Sequence, residues 1–250
     1  MEFKTYNPEE DDYLRDGFHD FLRRPEDVEK YRKTIREALE DAEEVVGMDS
    51  DVEILFGLTD TGSVHERWGE EAAPEFYVYG FTFGSHFEGK DRNFIFLRAN
   101  DFPSNWKAVL KNMAVHERAH IEFFRSNSDE ELDERLSGAV YNSVLFEGHS
   151  TNTAARLNEE KGYGWNPDFR KKGNEVDFEE LKAELEKDRT ESSFFDHGGD
   201  EWTEAEGYPI SFEIFNWVIE NKGLEVKDLP SLSEDEAREL IDEAAEELYR

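Results

Sequence analysis

Along the first fifty residues apolar positions recur at steps of three and four. In NPEEDDYLRDGFHDFLRR the residues Tyr13, Leu14, Phe18, Phe21 and Leu22 fall near helical spacing. RPEDVEKYRKTIREALEDAEEVV opens with Pro25 and acids in its first turn, the chemistry that helix N-termini favour. The period then changes to two. DVEILFG, EFYVYGFTFG and RNFIFLRA are short, rich in β-branched and aromatic residues and punctuated by glycine, which predicts strands at about 51–57, 75–83 and 93–98. From Pro103 the helical period returns and holds to the end: a long helix over about 103–125, another reaching Leu157 after a break at Ser137 and Gly138, and further helices at about 177–188, 208–221 and 233–249. A glycine-rich loop surrounds Trp165.

Strands grouped ahead of helices predict an α+β chain, with a small antiparallel-containing sheet followed by a mostly helical C-terminal part, rather than the alternating pattern of a parallel sheet. The expected organisation is one domain over 1–250, made of a helical N-terminal extension (1–50), the sheet with the long helix (51–125) and the helical remainder (126–250).

On the long helix, Trp106, Val109, Leu110 and Met113 mark one face, and continuing that ladder lands on His116, Glu117 and His120. Polar groups where the periodicity demands core need a partner. Histidines at i and i+4 stand one turn apart with Cβ atoms about 6 Å from each other, so both imidazoles can reach one ion. Glu117, offset by one residue, can act as base toward a water without ligating the ion itself. Chance supplies about 0.03 such H-E-x-x-H matches in a chain of this composition, so the motif carries weight. The same VHER tetrapeptide occurs earlier, in TGSVHERWGEE, but Gly69 stands where a second histidine would be needed, and that copy is read as a loop without a role.

A catalytic site of this type takes a third protein ligand and keeps its fourth position open. A plain antiparallel return after the bend near Asn127 brings Glu134 opposite His120, whereas in SVLFEGHSTNTAARL Glu147 interrupts the apolar approach of Tyr141, Val144 and Leu145, and His149 follows. Glu147 leads, with Glu134 and His149 open. On a helix Glu147 and His149 point apart, so the two do not ligate together.

Charge changes the picture of the solvent. The chain has 62 acidic against 29 basic residues, a formal net charge of -33 spread along its whole length. Such self-repulsion opposes the compact state in dilute buffer, while near molar salt the Debye length falls to about 3 Å and the penalty fades. The acids therefore read as the solvated surface of a salt-adapted protein. They also argue against a nucleic-acid partner, since no basic stripe interleaved with aromatics offsets their repulsion of phosphate. An aromatic content of 14% fits a folded chain rather than a disordered acidic one, and the absence of cysteine leaves histidine and carboxylate as the metal donors. MEFKTYNPEEDDYLRD has no basic and apolar leader, and no apolar run is long enough to span a bilayer, so the expectation is a cytoplasmic protein without membrane association.

The order VEILFG, YGFTFG, FIFLRA, Trp106, VHERAH, LFEGHS and EGYPISFEIFNWVIENKGL resembles a family of predicted zinc-dependent proteases of uncharacterised function, gluzincin-like, over about residues 50–250. The resemblance implies a zincin-like fold, a Zn2+ cofactor, His116, His120 and Glu147 as ligands, and Glu117 as general base. It also marks the Gly207-Tyr208 step, which opens a late helix in the family, and so implies Tyr208 as a donor to the oxyanion. Where the family carries a further acidic residue after its Glu-Gly pair, this chain has Thr151 and Asn152, which leaves the partner of the imidazoles unassigned. His149 replaces a usually apolar residue and is placed to line the substrate cleft.

His197, in FFDHGGDEW, sits in a glycine-bearing loop between acids and is a second candidate for oxyanion or substrate contact; His19 and His86 receive no role. Together these features predict a zinc peptidase acting on a peptide or protein. The competing classes are a metal-binding module without turnover, its fourth position closed by His149 or His197, and an acidic interaction module. Far-UV circular dichroism should show helix lost in dilute buffer and regained in molar KCl; a spectrum indifferent to salt would assign the acids to a partner instead.

Overall fold

Strands form in the period-two stretches and helices over most of the other described residues, in a computed structural model that describes residues 1–5, 22–23, 28–49, 51–59, 78–83, 92–98, 105–128, 132, 138–163, 176–192, 194–195 and 207–250. The chain divides into two compact units, Met1–Ile121 with Leu157–Trp165, and Glu122–Arg156 with Asn166–Arg250.

In the first unit, strands β1 (Glu2–Thr5), β2 (Leu22–Arg23), β3 (Glu53–Thr59), β4 (Val78–Phe83) and β5 (Arg92–Arg98) form one sheet of order β1-β3-β5-β4, with β2 also on β3. β1 and β5 run parallel to β3, and β2 and β4 run antiparallel to their neighbours. Parallel neighbours need a crossover, and helix α1 (Glu29–Val46) lies between β1 and β3 in the chain. It buries Tyr31, Ile35, Ala38, Leu39 and Ala42 along one face and stops at Gly47, whose φ of 74° lets its N–H cap Glu43 O. Tyr31 stacks on Phe56 of β3 (4.8 Å between centroids) and meets Trp106 edge-on (5.4 Å). Trp106 opens helix α2 (Trp106–Ser126).

Two expectations are corrected here. The N-terminal stretch is not wholly helical: 2–5 and 22–23 are strands, and of the first expected helix only that strand pair is described. A four-residue strand offers too few positions for a period to emerge. The sheet does contain antiparallel pairs, yet its centre is parallel, and the burial of Val52, Glu53, Ile54, Leu55 and Phe56 without alternation is the pattern of such a strand.

Glu53 is the one charge in that buried run, and it is met from both neighbouring strands. Lys4 of β1 reaches its Oε2 at 2.6 Å and Arg92 of β5 its Oε1. Burial pushes the Glu53 carboxyl up, but the hydrogen bond from Lys4 and the charges of Arg92 and Lys4 outweigh it and hold the group below its ordinary value. The same pairing raises Lys4, against its own desolvation.

The second unit is helical in the main. Helix α3 (Val140–Lys161), α4 (Phe178–Leu185), α5 (Gly207–Lys222) and α6 (Glu234–Tyr249) are joined by 3-10 turns at Arg189–Glu191 and Val226–Ser231. Asp177 caps α4, and a reciprocal Ser233–Glu236 box caps α6. Tyr249 donates to Glu213 (2.6 Å) and Tyr141 to Asp242, which fastens α6 to α5 and α3. These helices lie within a few residues of their expected bounds. Among the described residues no helix is long and apolar enough to cross a membrane.

Because Glu53 is depressed in the fold from the ordinary 4.5, its stabilisation is present above that value and fades as pH falls through the lower folded pKa. Glu53→Gln should cost about 3 kcal/mol near neutrality and flatten the loss of Tm on acidification. Parallel Tm–pH curves for the two proteins, measured in molar KCl, would refute this role.

Candidate metal centre

Helix α2 passes through apolar surroundings on nearly every side: Leu110, Ala114, Val115, Ala119, Ile121 and Phe123 are fully buried. Glu117, Arg118 and His120 are buried among them, and His116 is half-buried. The two imidazoles, one turn apart as the spacing dictates, meet edge to face with centroids 4.8 Å apart.

Arg118 has no exposed surface. Its Nε donates to the carbonyl of Asp49 at 2.6 Å and its terminal nitrogen donates to the same oxygen, which ties α2 to the turn just beyond the Gly47 cap. Nothing in the sequence pattern assigned Arg118 a task; the available signal was a cation inside a motif whose flanks are apolar on both sides. Glu117 is held from the sheet. Thr82 Oγ1 on β4 lies 2.7 Å from Glu117 Oε2, and Asn93 Nδ2 on β5 donates to Glu117 O at 2.8 Å.

On α3 the Glu147-Gly148 pair divides two tasks. A Cβ on Gly148 would stand 2.3 Å from Phe215 Cδ2 and 2.9 Å from Ser211 O, so only glycine allows α5 to cross so closely. Asn152 fixes the crossing by donating to Gly148 O (2.8 Å) and Phe212 O (3.1 Å). Ser150, Thr151 and Thr153 are buried and return their hydroxyls to the carbonyls of Phe146, Glu147 and His149 on their own helix. Thr151 thus serves the helix it stands on.

His116, His120 and Glu147 each offer a ligand atom, and the three atoms lie within 4.8 Å of one another. Two imidazoles and a carboxylate could hold a divalent metal ion in number and chemistry. His149, 2% exposed on the same helix, is outside this group.

Tyr208 stands half-buried in the first turn of α5, its ring edge-on to Phe195 at 5.4 Å. Packing also explains the preceding glycine, since a Cβ on Gly207 would lie 2.6 Å from the Phe195 ring and 2.8 Å from Phe194 O. Glu134, His197, His19, His86, the first VHER copy and the loop segment at Trp165 lie outside the described residues.

Comparison with protein-family models, with curated proteins and with solved structures returned no match. Gly148→Ala should lower stability by about 1–3 kcal/mol, because Phe215 and the Ser211 carbonyl must both give way. A variant melting with the wild type in molar KCl would contradict the close crossing.

Proposed function

We propose that this protein is a zinc-dependent metallohydrolase, a peptidase of zincin-like fold that works in the cytoplasm of a salt-adapted cell. The observation that carries the proposal is the approach of His116, His120 and Glu147 to within 4.8 Å, with Glu117 buried next to His116. Among the described residues three protein donors come together, a number that suits a catalytic ion, whereas structural zinc closes all four positions with protein. A bound zinc would supply Lewis acidity and lower the pKa of a water to about 7.

The chain's own residues do the rest. Glu117 accepts the proton of the attacking water and delivers it to the leaving amine, the two-way transfer that a positioned carboxylate performs in amide hydrolysis. Its burial excludes competing solvent, and its anchoring to β4 and β5 limits the geometries it can sample. Tyr208 and His197 are the proposed donors to the oxyanion, the first on the strength of the Gly-Tyr resemblance and the second on its loop chemistry. The substrate is a peptide or protein.

Metal content and cleavage of a broad peptide library, measured together in molar KCl, test this. Wild type and Glu117→Gln should each retain one zinc per chain, with cleavage reduced about 10²–10⁴-fold in Glu117→Gln. Glu147→Gln should lose the zinc. Metal held without cleavage in the wild type would favour a structural or regulatory module, and no metal at all would overturn the proposal.

A further inference from the structure

We infer that Thr82 and Asn93 are positioning residues for Glu117, a relay through which the sheet sets the direction of the base. The inference rests on the hydrolase proposal for its meaning, though its geometry lies within the first unit alone.

Proton accounting carries the argument. Asn93 Nδ2 has two protons and two acceptors at hand: Thr82 Oγ1 at 2.7 Å and Glu117 O at 2.8 Å. The Thr82 hydroxyl lies 3.0 Å from Glu117 O and 2.7 Å from Glu117 Oε2, and it has a single proton to give. Asn93 already supplies the backbone carbonyl and donates into the hydroxyl oxygen, so the Thr82 proton goes to the Glu117 carboxylate at the shorter distance. Reversing the Asn93 amide would set its oxygen against the Glu117 carbonyl, acceptor to acceptor. Sending that proton to the carbonyl instead would leave Thr82 Oγ1 and Glu117 Oε2 2.7 Å apart with no proton between two oxygens, so the arrangement that pairs every close contact ends on the base.

Asn93 is costly in its place. It is fully buried, and among the described residues its Oδ1 has no hydrogen-bond partner, a burden of about 1–3 kcal/mol for a buried polar atom. A strand that only needed packing would do better with an apolar residue there. Both of its amide protons instead serve α2 at Glu117 and the threonine that holds the Glu117 side chain. Thr82 and Asn93 face each other across the antiparallel β4–β5 ladder, so register alone brings them together.

The test compares Thr82→Val, which keeps the shape and removes the hydroxyl, with Thr82→Ser, which keeps the hydroxyl. In molar KCl, Thr82→Val should lose about 10–100-fold in kcat with KM changed less than about threefold. Zinc content and Tm should stay near wild type, and Thr82→Ser should restore kcat to within about threefold. Full kcat in Thr82→Val, or a loss that tracks falling Tm or zinc, would overturn the inference. Crystals of the zinc-loaded proteins give a readout independent of turnover: Glu117 should contact Thr82 in the wild type and adopt another rotamer in Thr82→Val while His116 and His120 stay fixed. A wild type that cleaves nothing would sink the peptidase proposal, and the crystals would then decide the positioning pair separately.

Discussion

The structure depends on a conflict inside α2. The helix must bury its surface to fold, yet over five residues it carries an imidazole, a carboxylate and a guanidinium into that interior and a second imidazole to its edge. Leaving any of these without a partner costs several kcal/mol, so the surrounding elements are arranged to meet them. Asp49 is held by the end of α1 where its carbonyl takes Arg118. β4 and β5 are registered so that a hydroxyl and an amide reach Glu117. The fold of the first unit is in this sense a set of answers to one helix.

The same logic governs the scarce cations. With 29 basic residues against 62 acids, pairing one to one would still leave 33 carboxylates beyond the number of cations. Those that are buried are treated differently: Glu53 has Lys4 and Arg92, and Glu184 has Lys187 at 2.6 Å together with the Ser192 hydroxyl. Salt at high concentration screens the exposed acids, whose repulsion it must suppress, and screens buried pairs much less. A chain can therefore require salt for its surface while its interior ion pairs remain strong.

What could be read from the sequence divides along the range of the interactions. The period of α2 and the i, i+4 histidines are local, so the helix, both imidazoles and the offset Glu117 were legible. Glu147 needed the apolar approach of its own helix and the family resemblance, and His149 separated from it by helical geometry alone. The partners of the motif were not legible: Thr82 is 35 residues from Glu117, Asn93 is 24, and Asp49 is 69 from Arg118. No local pattern connects such pairs. The parallel centre of the sheet was hidden for a related reason, since β1 is four residues long and its pairing to β3 depends on α1 carrying the chain across. The continuous apolar letters ILFGL at 54–58 were the one available hint, and a run of that length is ambiguous between a two-sided strand and an alternating one.

Short motifs can do so much here because one helical turn addresses several neighbours. Successive residues on a helix are about 100° apart, so adjacent letters face different elements. On α3, Glu147 is one of the three possible ligands while Gly148 receives Phe215 and the Ser211 carbonyl of α5. On α2, His116 and His120 share one face while Arg118, between them in sequence, turns to the end of α1. A substitution at Gly148 or Arg118 would therefore disturb Glu147 or the two histidines without touching them, by displacing the helix that presents them. Residues beside those three that take no part in the cluster can be as constrained as those that do, and the constraint on them is packing.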